Sequence, residues 1–281
     1  MKKVLCGALS ILILITLFGC SSIMSGNREV KNDNTNSQEE NENESVENKT
    51  ADNSDKIKDE DKTQNNEEQP SAINKKIVVI DPGHSSTGNK EMEKQSPDSD
   101  IMKIKDPGGA EGIYTKTPEY VVAMSVSQKL KALLEQHNVT VIMTKTQDAD
   151  SPGNIERAEI GNDNNADLAI RIHCDSADSE SANGASMLTP APIGYAKDIS
   201  GISKKYGQII LNDLVATAGM KNRGVVERED LTGFNWSKVP VVLIEMGFMS
   251  NKEEDKLLSD SDYQEKLAEG LCNGILKSLQ I

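Results

Sequence analysis

Two histidines and two glutamates stand where chemistry could be done. His84 follows the run Ile77-Val78-Val79-Ile80-Asp81-Pro82-Gly83, and His173 closes the run Leu168-Ala169-Ile170-Arg171-Ile172. Glu245 closes a third apolar run, Val239-Pro240-Val241-Val242-Leu243-Ile244, while Glu119 follows Thr117-Pro118 at the start of a helical pattern. Imidazole nitrogen and carboxylate oxygen are the donor types of a catalytic zinc site, where three protein ligands leave a fourth position for water. Two histidines and one glutamate would be the ligands, and the remaining glutamate would be the general base on that water. These residues are scattered along the chain, so no short motif of the H-E-x-x-H kind carries the assignment. Each also has an ordinary reading alone: a turn histidine, or a carboxylate favoured by the helix dipole in a first turn. The third histidine, His137, sits at a helix end beside Asn138, where a cation suits the dipole, and it receives no role.

The elements that must position these side chains can be read from periodicity. Ile77 to Ile80 are four consecutive β-branched residues, which reads as a buried strand. Asp81-Pro82-Gly83 is turn chemistry at its end. Strands are expected at Lys76–Asp81, Val139–Lys145, Leu168–His173, Gly184–Leu188 and Val239–Glu245. Helices are expected at Pro118–Gln136, Ile155–Asn164, Asp198–Ala218, Lys252–Leu258 and Tyr263–Leu279. The alternation predicts one α/β domain with a mostly parallel or mixed twisted sheet, flanked by helices on both faces. Sites in such sheets form at the carboxyl ends of the strands, where both histidines and Glu245 fall. Thr117-Pro118 reads as a hydroxyl cap with proline at the first helical position. Ser250 with Glu253, and Asp262 with Glu265, read as capping boxes or close variants. The polar stretch between His84 and Gly112 reads as a long loop at the mouth of the site.

The domain is preceded by segments of another kind. Lys2 and Lys3, an apolar run from Val4 to Phe18, and then Gly19-Cys20 read as a secretory signal. Leu17-Phe18-Gly19-Cys20 resembles a bacterial lipobox, which implies a signal over residues 1–19 and a lipidated Cys20. Residues 20–74 then read as a disordered acidic tether. From residue 21 it has fourteen acidic against six basic residues, about −8 of the chain's net −14. Such a segment has too little apolar surface to offset its ordering entropy. So acidic a chain gives no reason to expect nucleic acid as a partner. Cys174 and Cys272, both in apolar surroundings, are expected to be free buried thiols.

At this point the sequence is recognisable. It resembles the zinc-dependent N-acetylmuramoyl-L-alanine amidases of the amidase type 3 family, which cleave bacterial peptidoglycan. The matching pieces are I-V-V-I-D-P-G-H at 77–84, T-P-E-Y at 117–120, E-R-A-E-I-G-N-D-N-N-A-D-L at 156–168, I-R-I-H-C-D-S at 170–176 and V-P-V-V-L-I-E-M-G-F-M-S-N at 239–251. The resemblance spans residues 75–281 and implies zinc ligands at His84, Glu119 and His173, with Glu245 as the catalytic carboxylate. Arg157 matches a recurrent arginine, read either as orienting groups near the site or as a structural ion pair. Asn235 is expected to line the cleft. The departures are Ser85-Ser86 after the first histidine, an expanded segment before Asp106, and Cys174 after the second histidine. Cys174 should face away from the metal, because adjacent strand residues point to opposite faces.

The expected reaction is hydrolysis of the amide between the muramoyl lactyl group and L-alanine. The expected location is outside the cytoplasm, on the membrane through Cys20, and a protein activator is compatible with this reading. Two rival readings remain. A zinc peptidase acting on stem peptides tends to place a metal-binding glutamate three residues after its first histidine, where this chain has Thr87. A non-catalytic wall-binding adaptor would not need Glu245.

Overall fold

The structure is a computed structural model and describes residues 75–281. The signal, Cys20 and tether expectations lie outside the described residues. Eight strands and six helices follow in the order β1 (Ile77–Pro82), β2 (Asn89–Lys94), β3 (Met102–Asp106), α1 (Glu119–Gln136), β4 (Thr140–Met143), α2 (Asn154–Asp163), β5 (Leu168–Asp175), β6 (Ala185–Pro190), α3 (Ser200–Ala218), β7 (Asn222–Arg228), α4 (Thr232–Asn235), β8 (Val241–Phe248), α5 (Lys252–Leu258) and α6 (Ser261–Leu279).

Six strands form one mixed sheet in the order β4-β1-β5-β8-β6-β7. The central trio β1, β5 and β8 is parallel, which brings three carboxyl ends side by side. The direction reverses once, where β6 runs antiparallel to β8, and β7 then follows β6 in parallel.

Strand periodicity divides the molecule into layers. Val78, Ile80, Ile170, Ile172, Val242 and Ile244 point to one face and form the main core with Val122, Val126, Leu130, Ile210, Leu214, Leu271 and Ile275 from α1, α3 and α6. Val79, Val241 and Leu243 point to the other face, where Ala166 and Val239 or Phe234 of α4 meet them. Helices on both faces agree with the sequence reading.

Three local expectations are corrected. Residues 85–112 are not simply a loop, because β2 and β3 pair there as an antiparallel hairpin, with Met92 opposite Ile104. β7 was absent from the expected strands; it pairs only with β6 at the sheet edge, through backbone bonds that a side-chain pattern does not announce. The caps also shift. Pro118 itself is the N-cap of α1 and offers no side-chain bond, while the Thr117 hydroxyl accepts from Ser259 at 3.0 Å. Asn251 rather than Ser250 caps α5, and Asp260 rather than Asp262 caps α6.

Candidate metal centre

β1 delivers His84 just past its end, and the chain turns there with His84 at φ 54°, in the left-handed region that few non-glycine residues adopt. The buried ammonium of Lys145 holds this turn by donating to the His84 carbonyl. β5 delivers His173 directly, and β8 places Glu245 opposite it in register, so both side chains leave the same face of the sheet. α1 begins at Glu119, which is 3 % exposed.

The imidazole rings of His84 and His173 lie 4.9 Å apart at 85°. Glu119 Oε1 is 3.0 Å from His173 Nδ1 and 3.4 Å from His84 Nε2. One donor atom from each of the three residues lies within 4.8 Å of the others. Backbone packing fixes this proximity. A Cβ on Gly83 would come within 2.5 Å of the His173 ring, and one on Gly109 within 2.7 Å of the Glu119 carboxylate. Glu119 is held by the backbone as well, since its Oε2 accepts from Ala110 N at 2.8 Å and its Oε1 from Cys174 N at 3.1 Å.

Sequence reasoning missed Asp106. Its Oδ1 lies 2.9 Å from His84 Nδ1, and its Oδ2 accepts from the buried Ser85 hydroxyl at 2.9 Å. This contact occupies one ring nitrogen and leaves Nε2 facing Glu119, as a carboxylate behind a ligating imidazole does. The departure from a glycine pair at Ser85-Ser86 was visible in the sequence, but nothing there connected Ser85 to a residue 21 positions on.

The electrostatics are those of a site short of positive charge. Burial disfavours a charged His84, but hydrogen bonds to Asp106 and Glu119 outweigh it and raise its pKa to about 9. Burial lowers His173 to about 4, with the charge on His84 adding to the effect and Glu119 opposing it. Burial also works against an ionised Glu119, yet its bonds to both histidines hold it well below the usual carboxylate range. Glu245 is pushed far up, first by burial and then by the charges of Glu119 and Asp175. Its Oε2 is buried with no partner among the described residues, and so is His173 Nε2. Unpartnered buried polar atoms and crowded carboxylates around an N,N,O cluster fit a divalent cation.

The other expected residues are placed as follows. Arg157 donates through Nη1 to Asp81 Oδ1 at 2.6 Å and to the Pro82 carbonyl at 2.8 Å, a buried ion pair beneath the β1 turn. Asn235 does not line the cleft. It is fully buried, and its amide donates to the carbonyls of Gln95 and Glu229, joining the base of the hairpin to the segment before α4. The Cys174 side chain belongs to the main core on the face away from His173, and burial raises its thiol well above the ordinary value. Cys174 and Cys272 are free and buried. Thr87, where the peptidase rival would need a ligand, turns its hydroxyl toward the Ala149 carbonyl.

Comparison with known proteins agrees with this geometry. The family model described as N-acetylmuramoyl-L-alanine amidase (Amidase_3) matches residues 78–277. The N-acetylmuramoyl-L-alanine amidase AmiA of Salmonella typhimurium is 24 % identical, over 76 % of this chain and 81 % of that protein. Among solved structures, the apo N-acetylmuramyl-L-alanine amidase of Mycobacterium abscessus has a TM-score of 0.67 at 25 % identity, covering 73 % of this chain and 98 % of its own. The CwlD amidase of Clostridioides difficile, solved with the GerS lipoprotein, has a TM-score of 0.60 at 28 % identity, with the same two coverages of 73 % and 98 %. The matched stretch takes in every strand end and helix start that builds the cluster, and the chain belongs to the N-acetylmuramoyl-L-alanine amidase family.

Proposed function

We propose that this cell-wall amidase hydrolyses the amide between N-acetylmuramic acid and L-alanine with one zinc ion held by His84, Glu119 and His173, and with Glu245 as its proton carrier. The observation that carries this reading is the convergence of one donor atom from each of the three residues within 4.8 Å. Two nitrogens and one oxygen suit zinc better than the harder, oxygen-seeking cations. When bound, zinc would polarise the scissile carbonyl and ease deprotonation of the attacking water. Asp106 keeps the His84 ring oriented with Nε2 inward. Glu245 leaves the sheet on the same face as His173, with a carboxylate oxygen that has no partner among the described residues. It takes the proton of the attacking water and hands it to the departing L-alanine amine.

A cell-wall amidase works outside the cytoplasm. Within that setting we place it on the membrane through lipidated Cys20, with residues 21–74 as an acidic spacer. The lipobox-like Leu17-Phe18-Gly19-Cys20 and the composition of the tether support this.

Digestion of purified peptidoglycan by the full chain tests the reading. Free L-alanine amino ends should appear, should vanish with a chelator, and should return with added zinc. Glu245→Gln should lower kcat by roughly 100-fold or more while metal is still bound. Release of terminal stem residues instead of whole stems would point to the peptidase. Unchanged activity in Glu245→Gln would remove that residue from the mechanism.

A further inference from the structure

Beside the cluster, a cavity of about 270 Å3 opens between β3, the start of α2 and the segment entering α4. Its wall carries Lys103, Arg171, Asn154 and Thr232 together with the two clustered histidines. The charge there runs against that of the chain, whose net is −14. Arg171 is only 8 % exposed. Its Nε donates to Asp81 Oδ2 and its Nη2 to Asn154 Oδ1, both at 2.7 Å. Asp81 Oδ1 is already taken by Arg157. Two buried guanidiniums therefore share one carboxylate, and among the described residues neither has a second acidic partner.

Arg171 Nη1 has no acceptor among the described residues. The guanidinium rests against Gly233, where a Cβ would come within 2.6 Å of Nη1, so a larger residue would displace it. Lys103 adds to the wall a cation that makes no salt bridge among the described residues. Its neighbours are paired, Lys105 with Glu91 and Glu156, and Asp230 with Arg228.

We propose that this cavity receives the first free carboxylate of the stem peptide, and that Arg171 and Lys103 select for it. The proposal rests on the amidase reading, because that reading supplies the substrate. Around the scissile bond the substrate is unequal in charge. The lactyl carboxyl is consumed in the amide, the acetylated sugars are neutral, and free carboxylates lie on the peptide. An anion subsite beside the metal cluster therefore takes the peptide side. A guanidinium with one nitrogen uncommitted among the described residues gives a carboxylate a charge-assisted bond.

The test uses the full chain and two soluble muramoyl peptides that differ only in that carboxylate, free in one and amidated in the other. The free acid should be preferred by roughly tenfold or more in kcat/KM, expressed mainly in KM. Arg171→Gln and Lys103→Gln should each draw that ratio toward one, and Arg171→Lys should retain part of it. Lys103 sits on the hairpin and makes no salt bridge among the described residues, so its variant stays informative if Arg171→Gln folds poorly. Equal use of both peptides by the parent protein, or a ratio that neither substitution moves, would overturn the subsite. So would a preference that tracks phosphate polymers on the glycan, measured on walls before and after phosphate is stripped. Release of L-alanine ends from both peptides at equal rates sinks the subsite alone, whereas release from neither sinks the amidase reading with it.

Discussion

The four side chains of the centre were legible because each sits at a boundary that sequence marks. His84, His173 and Glu245 end apolar runs, and Glu119 begins an amphipathic one. Asp106 was not legible. It lies in a polar stretch without periodicity, and its link to His84 exists only once the hairpin brings it back across 22 residues. Its effect should nonetheless be measurable. Asp106→Asn keeps the size of the side chain but removes the charge facing His84 Nδ1, leaving Ser85 Oγ and Gly108 N, which donates at 3.0 Å, with a weaker acceptor. Zinc affinity, read by competition with a chromogenic chelator, should fall about 10- to 100-fold. The fold should hold, because the hairpin keeps its backbone pairing. An unchanged affinity would show that the His84 ring needs no carboxylate behind it.

At the scale of elements, hydrophobic runs revealed the strands that face helices on both sides and concealed those that do not. β2 and β3 read Asn-Lys-Glu-Met-Glu-Lys and Met-Lys-Ile-Lys-Asp, with Met92, Met102 and Ile104 exposed, so they lack the β-branched run that marks β1. Arg157 was legible as a residue but its partnership with Arg171 was not, since only the β1–β5 register sets Arg171 beside Asp81. This ties three elements through one carboxylate: Arg157 of α2 and Arg171 of β5 both reach Asp81 of β1. Burial alone would raise the Asp81 pKa, but the two guanidiniums and the Thr144 hydroxyl hold it well below the usual carboxylate range. A folded-state pKa below the unfolded one stabilises the protein above about pH 4, and that stabilisation is lost as pH falls through the folded value. Asp81→Asn should therefore cost about 3–5 kcal/mol at neutral pH, because two buried cations lose their partner. It should also flatten the acid limb of the stability curve below about pH 4, as followed by urea denaturation across a pH series. A variant as stable as the parent, with an unchanged acid limb, would mean that solvent already screens the pair.

At the scale of the whole molecule, the parallel trio β1-β5-β8 was implied by the alternation of strands and helices, but the reversal at β6 was not. Whether β6 pairs parallel or antiparallel with β8 depends on the path of a connection that carries no pattern of its own, and the weak run at Ala185 to Leu188 offered no help. The trio matters because the candidate ligands come from regions far apart in the chain: the end of β1, the start of α1 and the end of β5. An ion held by all three would join the sheet to the N-terminus of α1, and it would bind the folded chain far better than the unfolded one. Zinc at about a hundredfold excess over its Kd should then stabilise the protein by about 2.7 kcal/mol, which for a domain of this size is a rise in Tm of roughly 5–10 °C. On the proposed roles, in which Glu245 handles protons and does not grip the ion, the rise should survive Glu245→Gln and disappear in His173→Ala. Calorimetry with and without zinc thus separates the two roles without measuring turnover. Loss of the shift in Glu245→Gln would move Glu245 among the ligands, and no shift in the parent protein would end the metal assignment.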